Sequence, residues 1–486
     1  MDQGSGVYSK LPYMESLLNY ASKKIVPFQC PGHKAGKAYK KKYRELISGN
    51  LFRIETNEIG IIDTFQNPQK SLKLSQELMA KAYGVYKTYY ISGGSTLSNH
   101  IAIISSVSDG DNIVIPRNSH KSIFSAVILS GARPVFIYPG YDYQFNIDYN
   151  VSFEDVRKVV ESQKISAVVI CHPTYYGLKT DVEEISEYLD SRGVLLIVDQ
   201  AWGAHFKFNP NFPTCSTDTK AHIIVMSPHK TLFAFTQSSI LNLNHSLVNR
   251  FPELVAKIHQ TVLMLNSTSP SSLLFLSLDY TQYMLNNDLT IFEKMYKLSE
   301  YTIRKIRDID PSIVFNNHDI TKVVINLSKY GISGYELEEV LLEKYRIQVE
   351  MSDLFNAILL ITVGDTKSKI DYFLRSLKEI IRELKLGFLK PKGIIRKIQE
   401  YPDWPELVLS PRQAYISKTK EVPIKESYGK ISAEIITTYP PGIPILIPGE
   451  RITKQIADYI ECEIDYGTKI TGIYNIKERK IRVVDE

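Results

Sequence analysis

The sequence predicts an α/β protein built around a mostly parallel sheet. Between about residues 85 and 240, short runs of β-branched and aliphatic residues alternate with stretches of helical periodicity. The runs at 167–170, 194–198 and 222–226 are almost wholly apolar, as is typical of strands whose two faces are both covered. Strands and helices that alternate in this way form parallel sheets with right-handed crossovers, and ligands bind beyond the carboxyl ends of the strands.

The individual elements follow one another at short intervals. The predicted order is a strand at 89–91, a strand at 113–115, a helix at 121–130, a strand at 134–137, a helix at 151–163, a strand at 167–170, a helix at 182–192 and strands at 194–198 and 222–226. Gly193 directly after a helical stretch is a common end signal. The helix at 151–163 is indicated by apolar side chains on one face.

The pattern changes beyond about residue 280, which predicts further domains. We expect one long helix at 280–309, then strands at 322–327 and 357–363 around a helix at 334–345, as in a smaller α/β domain. From about residue 390 the chain is rich in proline. The resulting division is an N-terminal arm at 1–35, a large domain at 36–280, a small domain at 281–390 and a C-terminal domain at 391–486.

Composition argues against several classes of function. Lys plus Arg number 58 and Asp plus Glu 53, and the net charge of +5 is too small for a nucleic-acid footprint at this length. No apolar run approaches the roughly 18 residues of a membrane span, and no signal-like segment begins the chain. The cysteines are too far apart for a CxxC metal or redox site, so we expect no metal centre and a cytoplasmic location.

Polar clusters follow four of the strands and should therefore meet at one edge of the sheet. They lie at 92–96 (SGGST), 116–122 (PRNSHKS), 199–205 (DQAWGAH) and 227–230 (SPHK). In the first cluster, Gly94, Ser95 and Thr96 offer backbone N–H groups and hydroxyls to a phosphate, although a capped glycine turn is the simpler interpretation. His120 could lie flat against an aromatic ring or simply begin a helix with a local hydrogen bond.

Asp199 and Lys230 are the candidates for catalytic chemistry. Asp199 ends an apolar strand, where a carboxylate is costly unless it meets a cation such as a protonated pyridine nitrogen; a helix cap is the alternative. Lys230 also follows a strand, and a lysine in a crowded site can lose its proton and form an imine; a surface lysine is the alternative. Phosphate cradle, ring-stacking residue, ring-nitrogen carboxylate and imine lysine together predict pyridoxal phosphate.

These clusters resemble the motifs of the ornithine/lysine/arginine decarboxylase family, which are pyridoxal-phosphate enzymes with the aspartate aminotransferase fold (fold type I). Further matching segments are 31–36 (PGHKAG), 236–237 (TQ), 268–271 (TSPS), 349–353 (VEMSD), 362–365 (TVGD), 439–444 (YPPGIP) and 448–450 (PGE). The resemblance runs from about residue 27 to 450 and is similar to the short form of the family.

The resemblance implies a role for each site residue. Lys230 would hold the cofactor as a Schiff base, Asp199 would hold the pyridine nitrogen and His120 would stack on the ring. The other cofactor-binding residues would be Gly94, Ser95, Thr96, Ala201, Trp202, Ser227, His229 and, from the second subunit of a homodimer with a shared site, Thr268. His229 would also be a candidate proton donor, and Glu450 and His33 would contact the substrate, Glu450 through its distal cation.

The implied reaction is decarboxylation of arginine, lysine or ornithine, which releases carbon dioxide and a polyamine-type product. An aminotransferase or oxidase acting on a basic amino acid is the alternative, but the stretch at 357–365 lacks the arginine that would clamp the substrate carboxylate. A catalytically idle relative is disfavoured because Lys230 and Asp199 are both present. Gln66, Gln200 and Gln413 depart from residues that are usual in short members and leave the substrate open.

Overall fold

The computed structural model describes residues 22–23, 25–56, 63–392, 403–438, 442–465 and 467–485. Its largest hydrophobic core is built from residues between Ala38 and Met295, with Val363 and Ile447 added from later in the chain. A second core combines Phe28 with residues between Leu298 and Ile381, and a third lies between Ile424 and Val483. Among the described helices, none is both long and apolar enough to cross a membrane.

A seven-stranded sheet forms the centre of the largest core, in the order β2-β10-β9-β8-β7-β3-β4. Neighbours among β9, β8, β7, β3 and β4 are parallel, and β10 runs antiparallel to both β2 and β9. The predicted α/β class with a mostly parallel sheet is therefore confirmed. The strands are β1 Val26–Pro27, β2 Lys87–Ile91, β3 Asn112–Pro116, β4 Arg133–Ile137, β5 Tyr141–Asp142, β6 Ile147–Asp148, β7 Ala167–Cys171, β8 Leu195–Asp199, β9 Ile223–Met226, β10 Ser239–Leu243, β11 Lys322–Asn326, β12 Ile347–Gln348, β13 Met351–Ser352, β14 Asn356–Leu360, β15 Thr419–Pro423, β16 Ile436–Thr438, β17 Pro444–Leu446, β18 Ile470–Thr471 and β19 Lys480–Val484.

Helices connect these strands and cover the sheet. They are α1 Lys41–Ile54, α2 Ser71–Tyr83, α3 Gly94–Ser106, α4 Lys121–Ser130, α5 Phe153–Ser162, α6 Val182–Arg192, α7 Pro228–Thr231, α8 His245–Arg250, α9 Pro252–Leu265, α10 Ser272–Asn287, α11 Thr290–Ile309, α12 Gly334–Tyr345, α13 Lys367–Leu386, α14 Pro411–Ile416 and α15 Lys454–Asp465. The predicted helix α4 has its predicted bounds, and Gly193 ends α6 in the left-handed conformation that glycine favours.

The prediction of one helix over 280–309 is wrong. The chain forms α10 and α11 with a break at Asp288 and Leu289. Asp288 leaves the helical conformation (φ −150°, ψ 86°), and its Oδ1 accepts a hydrogen bond from the Thr290 hydroxyl at 2.6 Å. Short polar side chains such as Asn287 and Asp288 compete with helical hydrogen bonding, which explains a break that hydrophobic periodicity did not reveal.

The second core joins the N-terminal segment to a small antiparallel sheet. β1 pairs in parallel with β12, and β14 lies between β11 and β13. The strand expected at 357–363 begins one residue earlier and ends at Leu360. The residues that follow Leu360 turn back towards the N-terminal segment, where the Thr362 hydroxyl donates to the Gly32 carbonyl at 2.7 Å.

A buried ion pair connects the central sheet to the C-terminal part of the chain. Arg117, directly after β3, donates from Nε and Nη2 to the two oxygens of Glu450 at 3.1 and 3.0 Å. The Arg117 side chain is 0% exposed and that of Glu450 1%. The Ile447 N–H also donates to Glu450 Oε2 at 2.8 Å, so both carboxylate oxygens are occupied.

Glu450→Gln should destabilise the fold by about 3–5 kcal/mol, the usual cost of breaking a buried ion pair from one side. Either orientation of the amide places its NH₂ group against an Arg117 donor, because Arg117 contacts both oxygens. Chemical denaturation measures the change in the free energy of unfolding. The control is Glu154→Gln, which breaks an exposed ion pair with Arg157 and should have little effect. Equal stability of the two variants would contradict the structural role of Glu450.

Candidate active site

A cavity of about 430 Å³ lies beyond the carboxyl ends of the parallel strands. Parallel topology predicts a ligand site at this edge of the sheet. The structure brings many of the expected site residues together in its wall: Gly94, Ser95, Thr96, His120, Asp199, Ala201, Trp202, His229 and Lys230. Side chains that are far apart in sequence lie in one cavity, because the neighbouring parallel strands β8 and β9 end at the same edge of the sheet.

Asp199 is the last residue of β8 and is 7% exposed. Its Oδ2 accepts a hydrogen bond from Asn99 Nδ2 at 2.9 Å, and its Oδ1 accepts one from the Ala201 N–H at 3.1 Å. Both donors are neutral, so they orient the carboxylate without cancelling its charge. A buried carboxylate held in this way is suited to a cationic partner inside the cavity.

Lys230 lies on the short helix α7, which follows β9. Its Nζ lies 3.9 Å from the centroid of the Trp202 ring. Burial lowers the pKa of Lys230 below that of an ordinary lysine, and the nearby carboxylates of Asp199 and Glu350 oppose this shift. A lowered pKa increases the share of neutral amine, which is the form that attacks a carbonyl carbon.

Trp202 is supported from behind by a buried polar cluster. Lys322 Nζ lies 5.3 Å from the Trp202 ring centroid and forms an ion pair with Asp319. Asp319 also contacts His205 Nε2 at 3.2 Å. On the cavity side, the Tyr175 ring packs edge-on against Trp202 with centroids 4.7 Å apart. The indole is therefore fixed on both sides beside Lys230.

The N-terminus of α3 forms another part of the cavity wall. Gly94 begins this helix with φ +69°, a conformation that favours glycine and allows the chain to turn directly from the end of β2 into the helix. The first turn carries Ser95 and Thr96, which line the cavity. Free N–H groups at such a helix start, together with two hydroxyls, are suited to a phosphate group.

Ser227 is a further polar group without a partner. It is fully buried, and its hydroxyl has no hydrogen bond within the described part of the chain. Together with the helix start, the Asp199 carboxylate and the Lys230 amine, this hydroxyl fits pyridoxal phosphate, whose phosphate, ring nitrogen and aldehyde need these kinds of group.

The two histidines of the cavity are held neutral. Burial lowers the pKa of His120 to about 3 and that of His229 to about 4. His120 Nδ1 lies 2.8 Å from the Ser122 hydroxyl. His229 Nδ1 lies 2.6 Å from the Ser238 carbonyl oxygen, which only accepts, so Nδ1 carries the proton of the neutral ring. A neutral His120 can lie against an aromatic ring without adding positive charge.

The structure does not bring every expected residue to the cavity. Both oxygens of Glu450 bind Arg117, and His33 Nδ1 accepts from the Gly36 N–H at 2.9 Å; neither residue lines the cavity. Ser227 is not part of the wall, although it directly precedes α7, the helix that carries Lys230. Thr268 is exposed, outside the cavity of its own chain.

The unusual glutamines also lie outside the cavity wall. Gln200 is buried, and its amide binds the Gly203 carbonyl and the Ser216 N–H, both at 2.9 Å. Gln413 completes the capping box of α14 with Ser410, a task that Glu or Gln performs equally well. Gln66 is exposed. The first two therefore have structural contacts that explain their side chains.

Several cavity residues were missed by sequence reasoning, namely Cys30, Asp148, Tyr175, Tyr176, Gln237 and Glu350. Glu350 and Gln237 lie in the segments at 349–353 and 236–237 that suggested the family, so their positions were available as a signal. Asp148 lies on β6, a two-residue strand in an irregular stretch between β4 and α5, where no periodicity or motif marks it.

Comparison with known proteins agrees with this geometry. The family model described as "Orn/Lys/Arg decarboxylase, major domain" matches residues 11–323, and that of the C-terminal domain matches residues 396–476. An arginine decarboxylase of Bacillus anthracis is 32% identical over 98% of this chain and 97% of its own length. Another, of Halalkalibacterium halodurans, is 34% identical over 98% of both.

A solved structure shares the fold. The constitutive lysine decarboxylase of Escherichia coli superposes with a TM-score of 0.75 at 20% identity, covering 98% of this chain and 82% of that one. The two family models and the full-length relatives together settle the family. This chain is a member of the Orn/Lys/Arg decarboxylase family.

Proposed function

We propose that this chain is a pyridoxal-phosphate-dependent decarboxylase of a basic amino acid, and that arginine is its substrate. The observation that carries the proposal is the placement of Lys230 and Asp199 at the ends of adjacent strands in one buried cavity. Family membership supports the reaction. Arginine is supported by the full-length relatives at 32–34% identity that are named arginine decarboxylases.

The residues in and around the cavity are suited to different parts of the reaction. Bound pyridoxal phosphate supplies a ring that accepts the electron pair released when the bond from Cα to the carboxylate breaks. Asp199 would hold a proton on the ring nitrogen, because its charge is buried and fixed by Asn99 and Ala201. The start of α3 would hold the phosphate, and the Ser227 hydroxyl, which is outside the cavity wall, would be a further donor to it. His120 and Trp202 would confine the ring.

Lys230 would attach the cofactor and would move a proton at the substrate Cα. Its lowered pKa allows the amine to lose and regain a proton more readily than an exposed lysine. His229 is less suited to donate that proton, since its single ring proton points to the Ser238 carbonyl. Trp202 and Tyr175 line the wall beside the amine, which limits the access of water to it.

Transamination is disfavoured by the lining of the cavity. Among the described residues that form its wall there is no arginine to clamp a substrate carboxylate. A clamped, well-paired carboxylate would resist loss of carbon dioxide, whereas an unclamped one in a desolvated cavity loses it more easily. The cavity therefore favours decarboxylation over reactions that keep the carboxylate.

The active form in this proposal is a cytoplasmic homodimer with a shared site. The exposure of Thr268 and its position outside the cavity of its own chain are consistent with a contact to the phosphate in a second copy. All four cysteines are free thiols, as is usual in a reducing compartment.

Purified protein supplied with pyridoxal phosphate should release carbon dioxide from arginine and form agmatine, the amine that remains. The measurement is mass spectrometry of the products, with arginine, lysine and ornithine offered separately. Preferential conversion of lysine or ornithine would replace arginine in the proposal. Formation of a 2-oxo acid without carbon dioxide would overturn the decarboxylase assignment.

A further inference from the structure

Three carboxylates line the cavity: Asp148, Asp199 and Glu350. Asp199 has a role towards the cofactor, which leaves Asp148 and Glu350 to be explained. A carboxylate in a buried cavity is costly unless a cation or a set of donors compensates it. The two residues differ sharply in this respect.

Glu350 is compensated by the protein itself. Its Oε2 accepts from the Cys30 N–H at 2.6 Å, and its Oε1 accepts from the Tyr175 hydroxyl at 3.4 Å. Its negative charge is one of those that act on Lys230. Glu350 is therefore held by donors at the Lys230 end of the cavity, where the cofactor is attached.

Asp148 has no such partners. Within the residues that the structure describes, none donates a hydrogen bond to its carboxylate or pairs with it in a salt bridge. Burial raises the pKa of Asp148 to about 7, opposed only by the charge of Arg117. Arg117 itself is committed to Glu450 through two hydrogen bonds, so it cannot neutralise Asp148.

Position also separates Asp148 from the reaction centre. Arg117, the charged neighbour of Asp148, directly follows β3. In the sheet, β7 and β8 lie between β3 and β9, the strand that precedes Lys230. Tyr175 and Tyr176 line the same wall and offer aromatic surface. A substrate whose α-amine replaced Lys230 on the cofactor aldehyde would extend its side chain away from Lys230, and a carboxylate beside aromatic rings suits a guanidinium or ammonium group.

We propose that Asp148 is the specificity-determining residue that binds the distal cation of the substrate, in place of Glu450. The inference rests on the proposed function, since it takes the α-amine of the substrate to lie at Lys230. It explains why a carboxylate that lines the cavity has no partner among the described residues: the cation arrives with the substrate.

The test is Asp148→Asn, which keeps the size of the side chain and removes its charge. We expect kcat/KM for arginine to fall about 10- to 100-fold, mainly through KM, as when a charged hydrogen bond is lost. Agmatine binding to the cofactor-loaded enzyme, measured by calorimetry, should weaken by a similar factor. Binding of a neutral amine of the same length should not change, and neither should the visible absorbance of the bound cofactor.

Matched variants make the result specific. Asp458→Asn removes the same charge from an exposed position on α15 and should leave KM and agmatine binding unchanged. Asp148→Glu keeps the charge but advances it into the cavity, so it should retain cation preference and shift it from arginine towards the shorter ornithine. This second variant keeps the inference testable even if Asp148→Asn folds poorly.

Two outcomes would overturn the inference. One is unchanged KM and agmatine affinity in a folded, cofactor-loaded Asp148→Asn. The other is a cation-selective loss in Glu350→Gln with none in Asp148→Asn. Both are distinct from failure of the proposed function, which would appear earlier as absence of carbon dioxide release by the unaltered protein with any basic amino acid.

Discussion

Lys230→Ala is expected to lower decarboxylation by about 10⁴-fold, the upper end of what a positioned acid or base contributes. The variant loses both the amine that attaches the cofactor and the group that moves a proton at Cα. The fold should persist, because Lys230 lies on the short helix α7 and its Nζ points into the cavity beside Trp202 rather than into a core.

Borohydride reduction followed by mass spectrometry measures the attachment directly. In the unaltered protein, the added mass of reduced pyridoxal phosphate should fall on the peptide that contains Lys230. It should be absent from Lys230→Ala and present in Lys158→Ala, which changes an exposed lysine on α5. Label on a different lysine, or full activity without Lys230, would refute the assigned role.

Asp199→Ala should retain the cofactor but lower kcat by about 10²- to 10³-fold, the range seen when one preorganised electrostatic group is removed. The covalent link through Lys230 and the phosphate cradle at the start of α3 both remain. What is lost is the buried negative charge that keeps the ring nitrogen protonated and the ring able to accept electrons. KM should change little, since Asp199 faces the cofactor.

Steady-state kinetics measure the loss of kcat, and the cofactor content per subunit measures whether the cofactor is retained. Asp458→Ala is the control, because it deletes an exposed carboxylate of the same kind. A variant at Asp199 that turns over at nearly the normal rate while holding its cofactor would show that this carboxylate does not tune the ring. Loss of cofactor with unchanged kcat per bound cofactor would assign Asp199 to binding alone.

The central sheet was predictable because its strands are recognisable from local sequence. β7, β8 and β9 are apolar along their length, as buried parallel strands must be. β10 was missed, because SILNL is short, carries Asn242 and belongs to the sheet only through antiparallel pairing with β2 and β9. The break at Asp288 was also not predicted, because a local hydrogen bond interrupts the helix where the hydrophobic periodicity continues.

The residues of the candidate site also differ in how far the sequence could predict them. Asp199 and Lys230 could be placed in one cavity from sequence because each follows a parallel strand, and parallel strands end at the same edge. The sequence placed Glu450 at the substrate's distal cation but gave no sign of its pairing with Arg117, which lies 333 residues away in the chain and meets Glu450 only on folding. Asp148 had no signal at all, since it lies on a two-residue strand outside any repeat or motif.

The sequence by itself determined most strands of the central sheet, the family resemblance and the residues that follow the strands, because these depend on local apolar runs and on short motifs. The tertiary structure alone decided how the carboxylates are paired. Arg117 binds Glu450, backbone and tyrosine donors bind Glu350, and no described residue donates a hydrogen bond to the Asp148 carboxylate. Such pairings arise between distant segments, so they are properties of packing rather than of any stretch of sequence.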